Sequence, residues 1–120
     1  MKVIWTFSLF LVCGVLSAQV TINHPRLDDA SEIVAEKLKA SREAFEQAIG
    51  SGARGSAYGE LGMVYQAHEF YLPAKQAYQA AHQASPGDAR WSYFLAILAH
   101  DEGEFGQAEQ WLDKLSLIHI

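Results

Sequence analysis

Residues 55–88 read GSAYGELGMVYQAHEFYLPAKQAYQAAHQASPGD. Tyr58, Leu61, Gly62 and Tyr65 recur at the offsets that gather side chains on one face of an α-helix. Glu69 to Leu72 read as a turn, and Pro73 suits the first turn of a second helix, where its missing N–H costs nothing. Ala74, Tyr78, Ala81 and Ala84 or Ser85 then share the inner face of that helix, and Pro86-Gly87-Asp88 stops it. The stretch therefore predicts a helical hairpin. No segment of the chain alternates polar and apolar residues over a strand length, so no strands are expected.

Shifting the chain on itself by 34 residues aligns Leu61 with Leu95, Gly62 with Ala96, Tyr71 with Phe105 and Ala74 with Ala108. A period of this size marks a repeat array. Gly55 taken as the first position, Tyr58, Leu61, Gly62, Tyr65, Ala74, Tyr78, Ala81 and Pro86 follow a pattern of aromatic, leucine, small residue and tyrosine, then alanine, aromatic, alanine and a closing proline. In that pattern the chain resembles the tetratricopeptide repeat, with Tyr58 standing for tryptophan and Tyr78 for phenylalanine. The resemblance implies an all-α fold: about two helix hairpins stacked as a solenoid, preceded by a long N-terminal helix. Packing accounts for the pattern. Gly62 and Ala74 let the helices of one hairpin approach, Ala81 leaves room for the next unit, and the tyrosines fill the gaps between units.

The unit from Ala89 departs further. Leu95, Ala96, Gly103, Phe105, Ala108 and Leu112 agree with the pattern; Ser92 stands where an aromatic belongs, with Trp91 one place earlier, Ala99 replaces the tyrosine and Leu115 the alanine. Upstream, Asp29 with Glu32 resembles a capping box, and Ile33, Val34, Leu38, Ser41, Phe45, Ala48 and Ile49 carry helical spacing up to Gly50-Ser51-Gly52. This gives residues 19–28 as a linker, 29–54 as an N-terminal helix and loop, degenerate or capping, 55–88 as the first repeat and 89–120 as a degenerate, truncated second. Residues 57–112 also resemble the first repeats of larger exported bacterial repeat proteins.

The first eighteen residues read as an export signal. Lys2 precedes an almost wholly apolar run from Val3 to Leu16, and Ser17 and Ala18 supply small side chains for cleavage before Gln19. A retained membrane anchor is the alternative, although the run is shorter than the ~20 residues of a span. Cys13 lies inside the apolar run without a lipid-attachment motif. Removal of residues 1–18 takes away Lys2 and no acid, so the formal charge moves from −5 to −6 and the remaining chain has no cysteine. That composition predicts a protein of the bacterial periplasm or of the extracellular space, held together by packing alone. At the other end, Leu115-Ser116-Leu117-Ile118-His119-Ile120 is apolar where a solenoid normally ends in a polar helix. It resembles translated adapter sequence, and the chain reads as the N-terminal part of a longer array.

The acidic balance removes the basic footprint of a nucleic-acid binder. His24, His68, His82, His100 and His119 do not have the spacing of metal ligands; His68 and His82 fall about 15 Å apart by helical rise. No serine sits in a nucleophile elbow, and Gly50 to Gly55 lack the lysine of a phosphate loop. No cofactor, metal or small-molecule substrate is expected, and the chain is not read as an enzyme. The family resemblance instead implies a concave groove lined by the first helix of each hairpin. The matching positions are Ser56, Gly59, Met63, Gln66 and Ala67, then Arg90, Tyr93, Ile97, His100 and Asp101. Of these, Met63, Gln66, Arg90, Tyr93, Ile97, His100 and Asp101 are the candidate partner-binding residues, with Met63, Tyr93 and Ile97 apolar and Arg90 and Asp101 charged; the alternative is that Tyr93 and Met63 pack against a third repeat or the N-terminal helix. The expected role is a protein-interaction scaffold that holds a peptide or a partner domain; a structural spacer or self-assembly module is the alternative.

Overall fold

A computed structural model describes residues 19–118. A 3-10 turn at Leu27–Asp29 leads into five helices: α1 (Glu32–Gly50), α2 (Arg54–Ala67), α3 (Tyr71–Ala84), α4 (Ala89–Asp101) and α5 (Phe105–Ile118). The described residues contain no strand. Each helix packs on its neighbours in the chain: α1 on α2, α2 on α3, α3 on α4 and α4 on α5. The result is an all-helical stack of two hairpins, α2–α3 and α4–α5, with α1 in front. No helix among the described residues is long and apolar enough to cross a membrane. Residues 1–18, read as a signal, and His119 and Ile120 lie outside the described residues; the rest of the apolar tail, as far as Ile118, continues α5.

The two hairpin turns show the repeat at the level of single hydrogen bonds. Glu69 N–H donates to the Gln66 carbonyl at 3.0 Å and Phe70 N–H to the Tyr65 carbonyl at 2.9 Å. Thirty-four residues on, Gly103 N–H donates to the His100 carbonyl at 3.0 Å and Glu104 N–H to the Ala99 carbonyl at 2.8 Å. This paired bonding back into the last turn closes a helix around one left-handed residue. In the second turn that residue is Gly103, at φ 79°. In the first it is Glu69, at φ 64°, a conformation that side chains with a Cβ resist.

One core joins the hairpins. Leu38 of α1, Leu61 and Tyr65 of α2, Ala74, Tyr78 and Ala81 of α3, and Trp91, Leu95 and Leu98 of α4 are buried together. Small residues set the distances. A Cβ on Gly62 would come within 2.8 Å of the Tyr78 ring and 3.3 Å of the Ala74 carbonyl, so α2 and α3 lie as close as a glycine permits. Tyr78 lies flat beneath Phe94, with ring centroids 5.1 Å apart and planes 9° from parallel, and this stack carries the first hairpin into the second.

Two expectations need correction. Asp29 and Glu32 do not form a capping box. Asp29 ends the 3-10 turn, the helix starts only at Glu32, and Ser31 precedes it without a side-chain cap. Residues 19–28 are also more than a linker. Ile22 and Leu27 pack against the core, Asn23 N–H donates to Gln76 Oε1 at 2.7 Å, and the Pro25 carbonyl accepts from Arg42. The segment crosses α1, α2 and α3 as an ordered strap.

Candidate functional site

The second hairpin is positioned by its first residues. Asp88 caps α4: its Oδ1 accepts from the Arg90 backbone N–H at 3.1 Å, a satisfied donor at a helix start. The Arg90 guanidinium folds back on the same carboxylate, with Nη2 to Oδ2 at 2.7 Å. That side-chain bond holds the Asp88 carboxyl below its ordinary range. The guanidinium also lies 4.5 Å from the centre of the Trp91 ring. Trp91 itself is fully buried. A Cβ on Gly59 would stand 2.0 Å from the Trp91 ring, so the indole occupies the notch that this glycine leaves in α2. Its Nε1–H is buried without a protein acceptor; shape, not hydrogen bonding, places the ring.

Gly59 is therefore no part of an open groove, as the family pattern had implied. It is the seat of the following hairpin, and Trp91 is the residue that sequence reasoning missed. The signal was present in two halves, an aromatic one place early in the second unit and a glycine on the facing helix, but nothing in the chain alone joins them. Ser92, at the position expected to be aromatic, is buried instead, with its Oγ 3.4 Å from His82 Nδ1. His82 also meets the Trp111 ring edge-on at 5.1 Å, and Lys114 lies 3.9 Å over that ring, so α3, α4 and α5 converge on one imidazole. Burial first, and the Lys114 charge second, lower the pKa of His82.

The candidate partner-binding residues fall in three places. Tyr93, Ile97 and His100 of α4 come together with Ala96, Ala108 and Leu112 around a groove of about 230 Å³ between α4 and α5. Tyr93 is 52% exposed and Leu112 51%, large fractions for apolar side chains. Arg90 and Asp101 lie at opposite ends of α4, each exposed, with Asp101 Oδ1 3.5 Å from His100 Nδ1. Met63 and Gln66 sit on α2, away from this groove; Gln66 is engaged by the Tyr78 hydroxyl, which donates to its Oε1 at 2.6 Å. Ser56 and Ala67 are exposed on the same helix.

The groove has a counterpart inside the protein. Moved back by 34 residues, Tyr93, Ala96, Ile97, His100, Ala108 and Leu112 become Gly59, Gly62, Met63, Gln66, Ala74 and Tyr78. Gly59 and Tyr78 of that set hold Trp91 and Phe94 of the next hairpin. The α4–α5 groove is thus the same surface one unit further on. A family model described as tetratricopeptide repeat matches residues 71–119, from the second helix of the first hairpin through the second hairpin. Over that stretch the chain matches the tetratricopeptide-repeat family, and the stack of helical hairpins agrees with it. No curated protein and no solved structure gives a significant match. Tetratricopeptide repeats generally mediate protein–protein interaction and are typically non-catalytic modules. In this one no three histidine or carboxylate side chains among the described residues gather as metal ligands.

Proposed function

We propose that this protein is an exported interaction scaffold of the bacterial envelope or extracellular space. It holds a partner in the groove between α4 and α5. The observation that carries the binding site is the correspondence between that groove and the occupied seat on the first hairpin: the same register positions lie between paired helices, with Tyr93 and Leu112 half-exposed at the groove. The occupant is an amphipathic helix or a helical edge of a partner domain, because the surface corresponds in register to one that seats a helix of the stack. Tyr93 and Leu112 supply the apolar contact, and Arg90 and Asp101 at the two ends of α4 add charge selection. The export signal read in residues 1–18 supports the location.

Affinity capture from envelope extract tests the site. Tyr93→Ala combined with Leu112→Glu is expected to lose a partner that the parent chain and Met63→Glu both retain. A partner kept by the groove variant, or lost equally from Met63→Glu, sinks the groove. Fractionation of tagged protein tests the location, with mature protein beginning at Gln19 expected outside the cytoplasm. A spacer or self-assembly role rests on the exposed apolar side chains of the second hairpin, Phe105 at 63% and Leu117 at 82%. It predicts concentration-dependent light scattering and no specific partner.

A further inference from the structure

The strap at residues 19–26 crosses the helices on few attachments, and His24 of the strap and Arg42 of α1, which also holds the Pro25 carbonyl, meet at one hydroxyl. Arg42 Nε–H, from α1, donates to the Tyr65 hydroxyl oxygen at 3.3 Å. The same oxygen lies 2.6 Å from His24 Nδ1 in the strap. Tyr65 belongs to the buried core, so its hydroxyl hydrogen needs a partner close by. With Arg42 donating to the oxygen, that hydrogen goes to Nδ1, and the imidazole is held neutral with its own proton on Nε2. The charged or titratable groups facing His24 are thus Arg42 from α1 and Tyr65 from α2, while α3 offers uncharged Gln76 to the neighbouring Asn23. Near the start of the strap, a cleft of about 510 Å³ remains between Gln19, Val20, Arg54, Tyr58 and Ala80, so the seat is only partly filled.

We propose that His24, Tyr65 and Arg42 form an acid-released latch that holds residues 19–26 across α1, α2 and α3. A proton on Nδ1 turns the acceptor into a donor. The Tyr65 hydrogen then loses its acceptor, and a positive ring stands beside the Arg42 guanidinium. Both consequences disappear when the strap lifts and His24 enters water. Burial and the Arg42 charge, in that order, lower the pKa of His24 in the closed strap. A basic group with a lowered pKa binds protons less tightly when closed than when open. Closure is therefore favoured above about pH 6.5, the ordinary histidine value, and weakens as the pH falls below it.

Amide hydrogen exchange by NMR on the full chain tests the latch. The Asn23 amide, tied to Gln76, reports the strap, and the Ala81 amide reports the core. Between about pH 7.5 and pH 5, Asn23 protection, corrected for the intrinsic exchange rate, is expected to fall as the His24 ring signals titrate. The fall is about tenfold for each unit by which His24 titrates lower in the closed than in the open strap. Ala81 protection is expected to stay well above that of Asn23 at every pH, because Ala81 exchanges only when the core opens and Asn23 already exchanges when the strap lifts. His24→Asn keeps a neutral acceptor near Nδ1 and should give an Asn23 profile flat with pH, whatever its starting level. Constant Asn23 protection through the His24 titration, Asn23 protection equal to that of Ala81, or an acid-dependent fall that survives His24→Asn would each overturn the latch.

Discussion

Single residues here carry effects out of proportion to their size. Gly59→Ala would drive a methyl group to within 2.0 Å of the Trp91 ring, which lies stacked with Tyr78 and Phe94 and has no free volume to enter. The better helix propensity of alanine returns roughly 1 kcal/mol, against overpacking that costs typically 1–3 kcal/mol and occasionally more. Net destabilisation of up to about 2 kcal/mol is expected in denaturant unfolding, and an unchanged midpoint would show that the indole can move. Glu69 invites the opposite change. Its φ of 64° costs roughly 1–2 kcal/mol for a residue with a Cβ, while a glycine there gives up ~0.4–1 kcal/mol through the freedom of the unfolded chain. Glu69→Gly is accordingly expected to stabilise by up to about 1 kcal/mol, read by the same unfolding curve. The two sites differ in how far they can be read from sequence. Gly103, one period after Glu69, announces the left-handed turn, so periodicity exposes the strain. The Gly59–Trp91 contact is invisible to periodicity, because the two residues hold unlike positions in their units.

At the scale of elements, the helices themselves were legible. The start of the second unit at Ala89 and the hairpin stop at Pro86-Gly87-Asp88 agree with the structure, because glycine, proline and capping residues act locally. The start of α4 also isolates what a cap contributes. Asp88→Ala removes the acceptor for the Arg90 N–H and is expected to cost about 1 kcal/mol, whereas Asp88→Asn keeps an acceptor and should cost much less. The Arg90 ion pair is largely exposed and contributes little by itself, so thermal melts of the two variants at moderate salt separate cap from charge. If both lose stability equally, the ion pair stabilises the start of α4 more than the cap does. The start of α1 was misplaced by the same local reasoning. Acidic residues at 28 and 29 look like a helix start wherever they stand, but here Leu27 is drawn into the core and winds them into a 3-10 turn. The strap had no signal at all, since an extended segment held by His24, Asn23 and the Pro25 carbonyl has no period to detect.

Over the whole molecule, the fold was legible because one 34-residue unit repeats both its packing positions and its turn bonds. The site was less so: the residues expected along one groove are divided between an occupied seat and an open one. That division depends on which side of a helix its neighbour covers, a tertiary fact. Global stability should follow pH in a way the charge count does not suggest. His24 and His82 both have lowered pKa values in the folded state, each chiefly through burial. The unfolded chain therefore binds more protons than the folded one as the pH drops below about 6.5. Melting temperature is expected to fall between about pH 7.5 and 5.5, and the combined variant His24→Asn with His82→Asn should flatten that dependence; an equally steep fall in the double variant would assign it to other groups. The seats also differ in one respect that bears on growth of the stack. Where the inner seat offers Gly59 to an indole, the outer one offers Tyr93, and a second α4 brought there would meet a phenol ring where it needs a hollow. The outer seat is therefore cut for a different profile, a helix that carries a small side chain where α4 carries its indole.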